Sequence, residues 1–353
     1  MGPKKQVNKR GSRPTLSDIA TLSGVSVTAV SLVLSGKAKG RRLSDEVIDR
    51  VEQAARALDY APNLLIRSMQ SGSTQVLSFY NGFRDRWRGD IYMDSLTTSI
   101  QYAAGSHGYD ILMYCDFHPT PEQTYQKLNG GLSDGLIFFA PKTSDPLLPL
   151  LRASRMPTVL INTSDPENKL WSVCDDRHSG MKQMVEHLVG LGHCRIAVMG
   201  GAFDQNPDEH ERIVFLRTLL SEQGIEIPAH WVMGDMYERT ETTLQIIKDL
   251  FDEPSPPTAI FCWHDRLGYR ILEHCEHLGI RVPDDVTIVG YDGMHWPSSS
   301  HHILGSVALD LAELSDKAIR LLSDAVSGRS LKPENIIQPV RFEPGTTVGP
   351  PKM

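Results

Sequence analysis

The sequence predicts an N-terminal all-α head containing a helix-turn-helix, followed by an α/β core of two doubly wound parallel-sheet lobes. Apolar residues recur at helical spacing in three segments between residues 15 and 58. From residue 75 onward, short apolar runs alternate with helical patterns, which is typical of parallel strands covered by helices. The length of 353 residues suffices for a small head and two such lobes.

The head begins with two short helices joined by a tight turn. Thr15, followed three residues later by Asp18, forms a short capping box at the start of the first helix. Gly24 ends this helix, and Ser26 can cap a second helix over residues 27–34. Such a pair forms a helix-turn-helix, whose second helix reads the DNA major groove. The alternative is a small helical hairpin without a DNA role.

A third, amphipathic helix is predicted over residues 45–58 and completes the head. In this region the chain resembles the LacI family of bacterial transcription repressors. The matching segments are Asp18-Ile19-Ala20, Gly24-Val25-Ser26, Val30-Ser31, Tyr60-Ala61-Pro62-Asn63 and Arg67-Ser68. Several motifs in the same order make this resemblance specific.

The core alternates between predicted strands and helices. The strands are expected at residues 75–80, 109–115, 135–140, 157–162, 171–175, 195–200, 258–262 and 286–291. The helices are expected at residues 91–107, 121–129, 147–154, 176–191, 208–222, 240–251, 266–278 and 311–327. In doubly wound sheets a ligand lies beyond the carboxyl ends of the strands, so two lobes can present these ends to one cleft.

The family resemblance continues through residues 186–197, 257–261 and 282–292. It implies a periplasmic-binding-protein-like core with several chain crossovers between the lobes. It also implies the domain organisation. The expected parts are a basic flexible tail (1–14), the helix-turn-helix domain (15–61), a hinge helix and linker (62–73), a core (74–345) and a tail (346–353). Within the core, lobe 1 is expected over about 74–175 and 310–333, and lobe 2 over about 176–307 and 334–343.

The charge is distributed unevenly along the chain. Residues 1–73 carry twelve Lys/Arg and six Asp/Glu, whereas residues 74–353 carry 24 Lys/Arg and 37 Asp/Glu. The net charge of the whole chain is −7. A basic head on an acidic body is typical of a nucleic-acid-binding module attached to another function. The cations of residues 1–14 alone are equally compatible with a tail that only aids solubility.

Several classes of protein are disfavoured by the sequence. No run of 18 apolar residues exists, and the polar N-terminus lacks the apolar segment of a secretion signal, so we expect a cytoplasmic protein. Five scattered cysteines without a CxxC pair indicate neither disulfides nor zinc. No catalytic set or nucleotide-binding motif is present, so we expect no enzymatic activity, no cofactor and no metal.

The resemblance implies a ligand-responsive, sequence-specific DNA-binding transcription regulator, expected to be a repressor. It would act as a homodimer on near-palindromic operator DNA, and a small-molecule effector, expected to be a sugar or sugar derivative, would bind between the lobes. The alternative from another class is a sugar-binding protein of the periplasmic type without a DNA role. The helical head and the missing secretion signal argue against that alternative.

The candidate effector contacts are polar groups at strand ends, together with one helical arginine. From the strand ends we expect Tyr80, Asp90, Asn162, Asp175, His264, Asp265 and Asp292, and from a helix facing the cleft Arg212. The resemblance matches Arg212, Asp265 and Asp292 to effector-binding residues of the family and adds Met236; His264 stands where the family usually has Asn. The alternative for Asp265 and Asp292 is that they cap the following helix. The basic loop 81–90 either meets an acidic effector or is simply solvated.

The candidate DNA contacts lie in the head, the following loop and the hinge. They are Thr15, Leu16, Ser26, Val27, Thr28, Ala29, Ser31, Leu32, Lys39, Arg41, Arg42, Tyr60, Asn63, Ile66 and Met69. Three cations of the loop, which is longer than the family's, are expected on phosphates. The two apolar hinge residues are expected to wedge into the minor groove, as the resemblance implies.

Leu32 is the most informative position of the predicted recognition helix. Many family members carry a hydrogen-bonding residue there, whereas leucine offers only apolar contact, which favours the thymine methyl group. The alternative is that Leu32 belongs to the small core of the head, because it lies seven residues after Val25.

Overall fold

The computed structural model describes residues 14–36, 38, 43–62, 68, 71–82, 89–114, 120–200, 207–234, 240–329 and 332–352. The chain divides into two units, residues 1–74 and 75–353, which correspond to the head and the core.

The head contains the three predicted helices, α1 (Leu16–Ser23), α2 (Val27–Leu34) and α3 (Asp45–Ala57). Both hydrogen bonds of the capping box join Thr15 and Asp18. Gly24 ends α1 with a φ of 69°, a left-handed conformation that costs glycine little. The sequence therefore specifies both boundaries of the turn through local hydrogen bonds.

The three head helices enclose one small apolar core. Ile19, Val30 and Val51, one from each helix, are completely buried at its centre. Helices this short are marginal in isolation, so packing of these side chains supplies most of their stability. No single helix in the described part of the chain is long and apolar enough to cross a membrane. Together, α1 and α2 reach the necessary length and apolarity, but they are bent by 107°.

Lobe 1 is built on a sheet of six parallel strands in the order β11-β5-β4-β3-β1-β2. The strands are β1 (Val76–Asn81), β2 (Asp110–Met113), β3 (Gly135–Phe139), β4 (Thr158–Ile161), β5 (Trp171–Asp175) and β11 (Asn335–Gln338). Its helices are α4 (Ile91–Ser106), α5 (Pro121–Leu128), α6 (Leu147–Arg152) and α11 (Leu311–Val326). One apolar cluster joins the sheet to α4 and α11, and a second joins the other face to α5 and α6.

Lobe 2 is built on a second six-stranded sheet in the order β12-β10-β9-β8-β6-β7, in which only β12 is antiparallel. The strands are β6 (Ile196–Met199), β7 (Val232–Met233), β8 (Ala259–Cys262), β9 (Thr287–Asp292), β10 (Gly305–Ala308) and β12 (Arg341–Glu343). Its helices are α7 (Arg177–Gly190), α8 (Pro207–Glu222), α9 (Thr240–Phe251) and α10 (Asp265–His277), and a 3₁₀ turn covers Ala229–Trp231. The predicted class of two parallel-sheet lobes is confirmed.

The structure corrects two of the predicted boundaries. The sequence places residues 334–343 in lobe 2, but β11 pairs in parallel with β5 and so extends the sheet of lobe 1, whereas β12 pairs with β10 in lobe 2 as expected. Residues 346–353 were predicted to form a tail, yet Thr347 is completely buried in lobe 2. Its hydroxyl donates to the Ile288 carbonyl at 2.6 Å and accepts from the Gly305 amide at 2.8 Å. The sequence does not predict the short strands β7, β10, β11 and β12.

Three crossovers between the lobes lie side by side. They follow β5, β10 and β11, and Gln338 at the end of β11 connects them. Its carbonyl accepts from the Asp176 amide at 2.8 Å, and its side-chain amide donates to the Asp310 carbonyl at 2.8 Å. Each lobe is therefore discontinuous in sequence. Backbone groups from all three crossovers take part in the hydrogen bonds that hold the crossovers together.

We predict that Gly290→Ala destabilises the core. A Cβ atom at this position in β9 would lie 2.3 Å from Asp265 Oδ1 and 2.9 Å from Leu304 Cδ2. Overpacking of a tight interior costs about 1–3 kcal/mol, so the free energy of unfolding measured in urea should fall by that amount. The control is Gly190→Ala, because a Cβ there meets no atom within 4 Å. Equal stability of the two variants would contradict the close approach.

Candidate functional site

The second helix of the head presents the predicted recognition surface. Val27 is 45% exposed and Thr28 is exposed, whereas Val30 and Val33 of the same helix are buried in the core. The Ser26 hydroxyl accepts a hydrogen bond from the Ala29 amide and so acts as the N-cap. The helix is thus divided between an inward apolar face and an outward face available to a partner.

Leu32 lies half-buried on this helix, as do Ala29 and Ser31. Within the described residues, Leu32 is not one of the side chains packed against the head core, unlike Val25 and Leu34. This arrangement favours the base-contact interpretation over the core alternative. Its contact with DNA stays a prediction.

Three other predicted DNA contacts have structural partners in the head. Leu16 and Tyr60 are only partly buried and pack against the head core. The Thr15 hydroxyl accepts from the Asp18 amide at 3.3 Å, and the Thr15 amide donates to Asp18 Oδ2 at 2.8 Å, which together form the capping box. These three residues therefore stabilise the head, and any DNA contact must be made by their exposed portions.

Several predicted contacts lie outside the described residues. They are Lys39, Arg41, Arg42, Asn63, Ile66 and Met69 of the proposed DNA interface, Met236 of the proposed effector site, and residues 83–88 of the basic loop.

In the core, three strands end in residues with positive φ at the predicted cleft. Ala140 follows β3 with φ 44°, Asn162 follows β4 with φ 64°, and Asp292 ends β9 with φ 109°. Non-glycine residues seldom adopt this conformation, and such strain concentrates at binding sites. Their occurrence at carboxyl strand ends of both lobes supports the cleft as the functional site.

Arg212 lies at the centre of the lobe 2 side of this site. It is 3% exposed and projects from α8. Its guanidinium donates to the Trp263 carbonyl at 2.7 Å and to Asp292 Oδ1 at 3.2 Å, and its Cζ lies 3.6 Å from the centroid of the Tyr291 ring. A buried charge is tolerated only when it is paired and hydrogen-bonded, and these contacts meet that need.

Asp175 and Arg177 occupy the first crossover, beside the same tyrosine. The Tyr291 hydroxyl donates to Asp175 Oδ2 at 2.6 Å, and Arg177 Nε lies 3.1 Å from Asp175 Oδ1. Arg177 also donates to Glu211 at 2.6 Å and to the Asn162 carbonyl at 2.5 Å. The predicted contacts Asp175 and Asn162 from lobe 1 thus share one network with lobe 2.

Two predicted effector contacts, His264 and Asp265, make structural hydrogen bonds within lobe 2, and their contact with an effector stays a prediction. His264 is the N-cap of α10, and its Nδ1 accepts from the Leu267 amide at 3.0 Å. Desolvation, together with the charges of nearby arginines, lowers the pKa of His264 to about 3, so a neutral ring nitrogen is available as acceptor. Asp265 is completely buried and accepts from Ser306 at 2.7 Å and from the Met294 amide at 2.5 Å.

Asp265 therefore supports the loop after β9 and the strand β10 beneath the cleft. Burial raises the pKa of Asp265 well above its ordinary value, and the carboxylate of Asp292 raises it further. The alternative from the sequence was that Asp265 and Asp292 cap helices. The structure assigns the cap to His264 and pairs Asp292 with Arg212.

The remaining predicted contacts line lobe 1. Tyr80 is buried with its ring 5.4 Å from that of Phe138, and Asp90 caps α4 by accepting from the Met93 amide. Asn162 donates from Nδ2 to the Tyr92 hydroxyl at 2.9 Å. Among the described residues, no group of three potential metal ligands occurs.

Sequence reasoning missed five residues of this network: Tyr92, Arg177, Glu211, Trp263 and Tyr291. Trp263 and Tyr291 immediately precede His264 and Asp292, so the aromatic residue at a strand end was an available signal. Arg177 and Glu211 gave no such signal, because their partners lie on other elements.

Known proteins match this chain over almost its full length. The HTH-type transcriptional repressor PurR of Mannheimia succiniciproducens is 25% identical over 328 residues, 91% of this chain and 95% of that protein. The ribose operon repressor of Escherichia coli is 25% identical over 342 residues, 94% of this chain and 99% of that protein.

Solved structures share the fold. A lac repressor dimer bound to operator and the anti-inducer ONPF has a TM-score of 0.80 at 21% identity, covering 95% of this chain and 99% of that chain. The transcriptional regulator CelR in complex with cellobiose has a TM-score of 0.68 at 23% identity, covering 95% and 100%.

Two family models match in the order that the architecture requires. Residues 185–348 match a periplasmic binding protein-like domain, and these residues contain most of lobe 2 with its site residues. Residues 15–63 match the model of bacterial regulatory proteins of the lacI family, which covers the whole helix-turn-helix head. The chain therefore belongs to the lacI family of bacterial regulatory proteins.

Proposed function

We propose that this protein is a ligand-responsive transcriptional repressor that binds operator DNA through its head and a small molecule through its core. The observation that carries this proposal is the combination of an exposed recognition face on α2 with the buried Arg212–Asp292 pair at the interlobe cleft. The proposal includes no enzymatic activity, in keeping with the repressor names of its relatives.

The proposed partners are double-stranded operator DNA and a second copy of the chain. One head with a single short recognition helix reads too few bases for specificity in a genome. Two-fold pairing doubles the number of bases read and imposes a near-palindromic operator. The lac repressor dimer on its operator has the same fold, which supports this assembly. We propose that the protein acts in the cytoplasm, where its DNA lies.

The effector is proposed to be a sugar or sugar derivative. Planar polar groups bind sugar hydroxyls by paired hydrogen bonds, and aromatic faces pack against the ring. Arg212 and Asp292 provide the planar groups, and Tyr92 of α4 and Trp263 after β8 provide aromatic rings. The names of the ribose operon repressor and of the CelR–cellobiose complex support this ligand class.

The mechanism is a coupling free energy between two sites. An effector changes operator affinity only to the extent that it binds one arrangement of the lobes more tightly than another. We propose that a shift of the lobes is transmitted through the segment 62–73 to the heads. The alternative, a sugar-binding protein without a DNA role, leaves the matched helix-turn-helix unexplained.

The direct test is selection of duplex DNA from a random library by the full chain. We expect enrichment of a near-palindrome with two half-sites. The selected duplex is then titrated by fluorescence anisotropy with and without D-ribose, cellobiose and other sugars. At least one sugar should change the affinity of the protein for this duplex. Failure to enrich any sequence would contradict a DNA role, and enrichment without any sugar response would contradict the effector class.

Leu32→Arg should change the selected half-site. The wild type should select A·T opposite Leu32, and the variant should select G·C, because arginine binds guanine O6 and N7 with about 1–3 kcal/mol of discrimination. The matched control is Leu22→Arg, which adds the same charge at a leucine of α1 that is 56% exposed. Selection of the same base by wild type and Leu32→Arg would show that Leu32 does not read DNA.

Arg212→Lys should abolish most of the sugar response while leaving operator binding in place. Lysine cannot reproduce the planar fork that joins the Trp263 carbonyl to Asp292. Loss of charge-assisted hydrogen bonds should lower the affinity for the sugar that elicits the response by about ten- to hundredfold. The measurement is its half-maximal effect on DNA anisotropy. Arg217→Lys, at an exposed position of the same helix, is the control; an equal response in both variants would contradict this role of Arg212.

A further inference from the structure

One hydrogen bond between buried side chains joins the two lobes directly. The Tyr291 hydroxyl of β9 in lobe 2 donates to Asp175 Oδ2 of β5 in lobe 1 at 2.6 Å. Tyr291 is completely buried and Asp175 is 4% exposed. A bond to an ionised acceptor at this distance is of the strong, charge-assisted kind, and burial removes the competition of water.

Tyr291 contacts the predicted effector residues of both lobes at once. Its ring lies beneath Arg212 of lobe 2, with 3.6 Å between the guanidinium Cζ and the ring centroid. Its hydroxyl reaches Asp175 of lobe 1. Burial raises the pKa of Tyr291 well above its ordinary value, and the Asp175 carboxylate raises it further, so the hydroxyl stays protonated and remains a donor at neutral pH.

We propose that the Tyr291–Asp175 hydrogen bond ties the lobes together in the ligand-free chain, so that Tyr291 is the positioning residue that sets the width of the cleft around Arg212. The bond closes the site with groups that a polar ligand would otherwise use. A ligand that reaches Asp175 must replace the tyrosine hydroxyl. The larger the fraction of chains in which the Tyr291–Asp175 bond is formed, the lower the apparent affinity of the chain for that ligand. The regulatory meaning of this tie rests on the proposed function, whereas the tie itself does not.

The test measures the distance between the lobes without DNA or ligand. Spin labels are attached to cysteines introduced at Leu132 of lobe 1 and Val214 of lobe 2, which are 47% and 44% exposed. Cys194, which is exposed, and Cys115 are replaced by serine. Labelled chain is mixed with excess unlabelled chain, so that pulsed electron paramagnetic resonance reports the distance within one chain.

Tyr291→Phe is the decisive variant because it keeps the ring beneath Arg212 and removes only the hydroxyl. We expect a longer mean distance and a broader distribution than in the wild type. The matched control is Tyr269→Phe, whose hydroxyl lies 3.0 Å from His295 Nδ1 within lobe 2. This control also loses a buried hydroxyl, so any general loss of stability is shared, but its interlobe distance should equal that of the wild type.

Asp175→Ala removes the same bond from lobe 1 together with the ion pair to Arg177, and should lengthen the distance at least as much. Adding Tyr291→Phe to Asp175→Ala should lengthen the distance no further, because the partner of the tyrosine hydroxyl is already absent. A Tyr291→Phe distribution that superimposes on the wild type would overturn the proposal. Loss of folding in both single variants would also overturn it, since the pair would then determine the fold and would not tie two folded lobes. Failure of the DNA selection leaves this measurement unaffected, so the two hypotheses fail separately.

Discussion

The three adjacent crossovers are the constraint on which the core depends. Asp175 ends β5 at the first of these passages, and Gln338 connects the passages through the Asp176 amide and the Asp310 carbonyl. Gln338 is 1% exposed, so water does not compete for these bonds. Because each lobe is a packed body and the connections are short, a hinge between the lobes would lie at these three passages.

The cleft contains an unusual concentration of buried charge. Arg212, Asp292, Asp175 and Arg177 are each at least nine-tenths buried, and each has an oppositely charged partner or a hydrogen bond. Removing such groups from water costs several kcal/mol per ion, which the pairing offsets only when the geometry is good. An apolar interior would be at least as stable, so retention of these charges is better explained by recognition than by stability.

The head divides its short helices between stability and contact. Ile19, Val30 and Val51 join the three helices, and without this core none of them would persist in water. Thr15 and Ser26 use their hydroxyls as caps and fix where the two helices of the turn begin. Because the core and the caps determine the path of the backbone, the outward side chains of α2 can differ without loss of the head fold. Among them, Leu32 is the position at which a substitution should change the DNA sequence that is bound.

The sequence by itself determined the elements whose signals are local. The capping box at Thr15, the break at Gly24 and the apolar strands with polar ends predicted the head, the lobes and the neighbourhood of Arg212 and Asp292. Only the tertiary structure decided which strand-end groups meet: Tyr291 reaches Asp175 across 116 residues, and β11 returns to lobe 1. Helical period and capping are encoded within a few residues, whereas these pairings depend on strand order and on three crossovers, which no local pattern records.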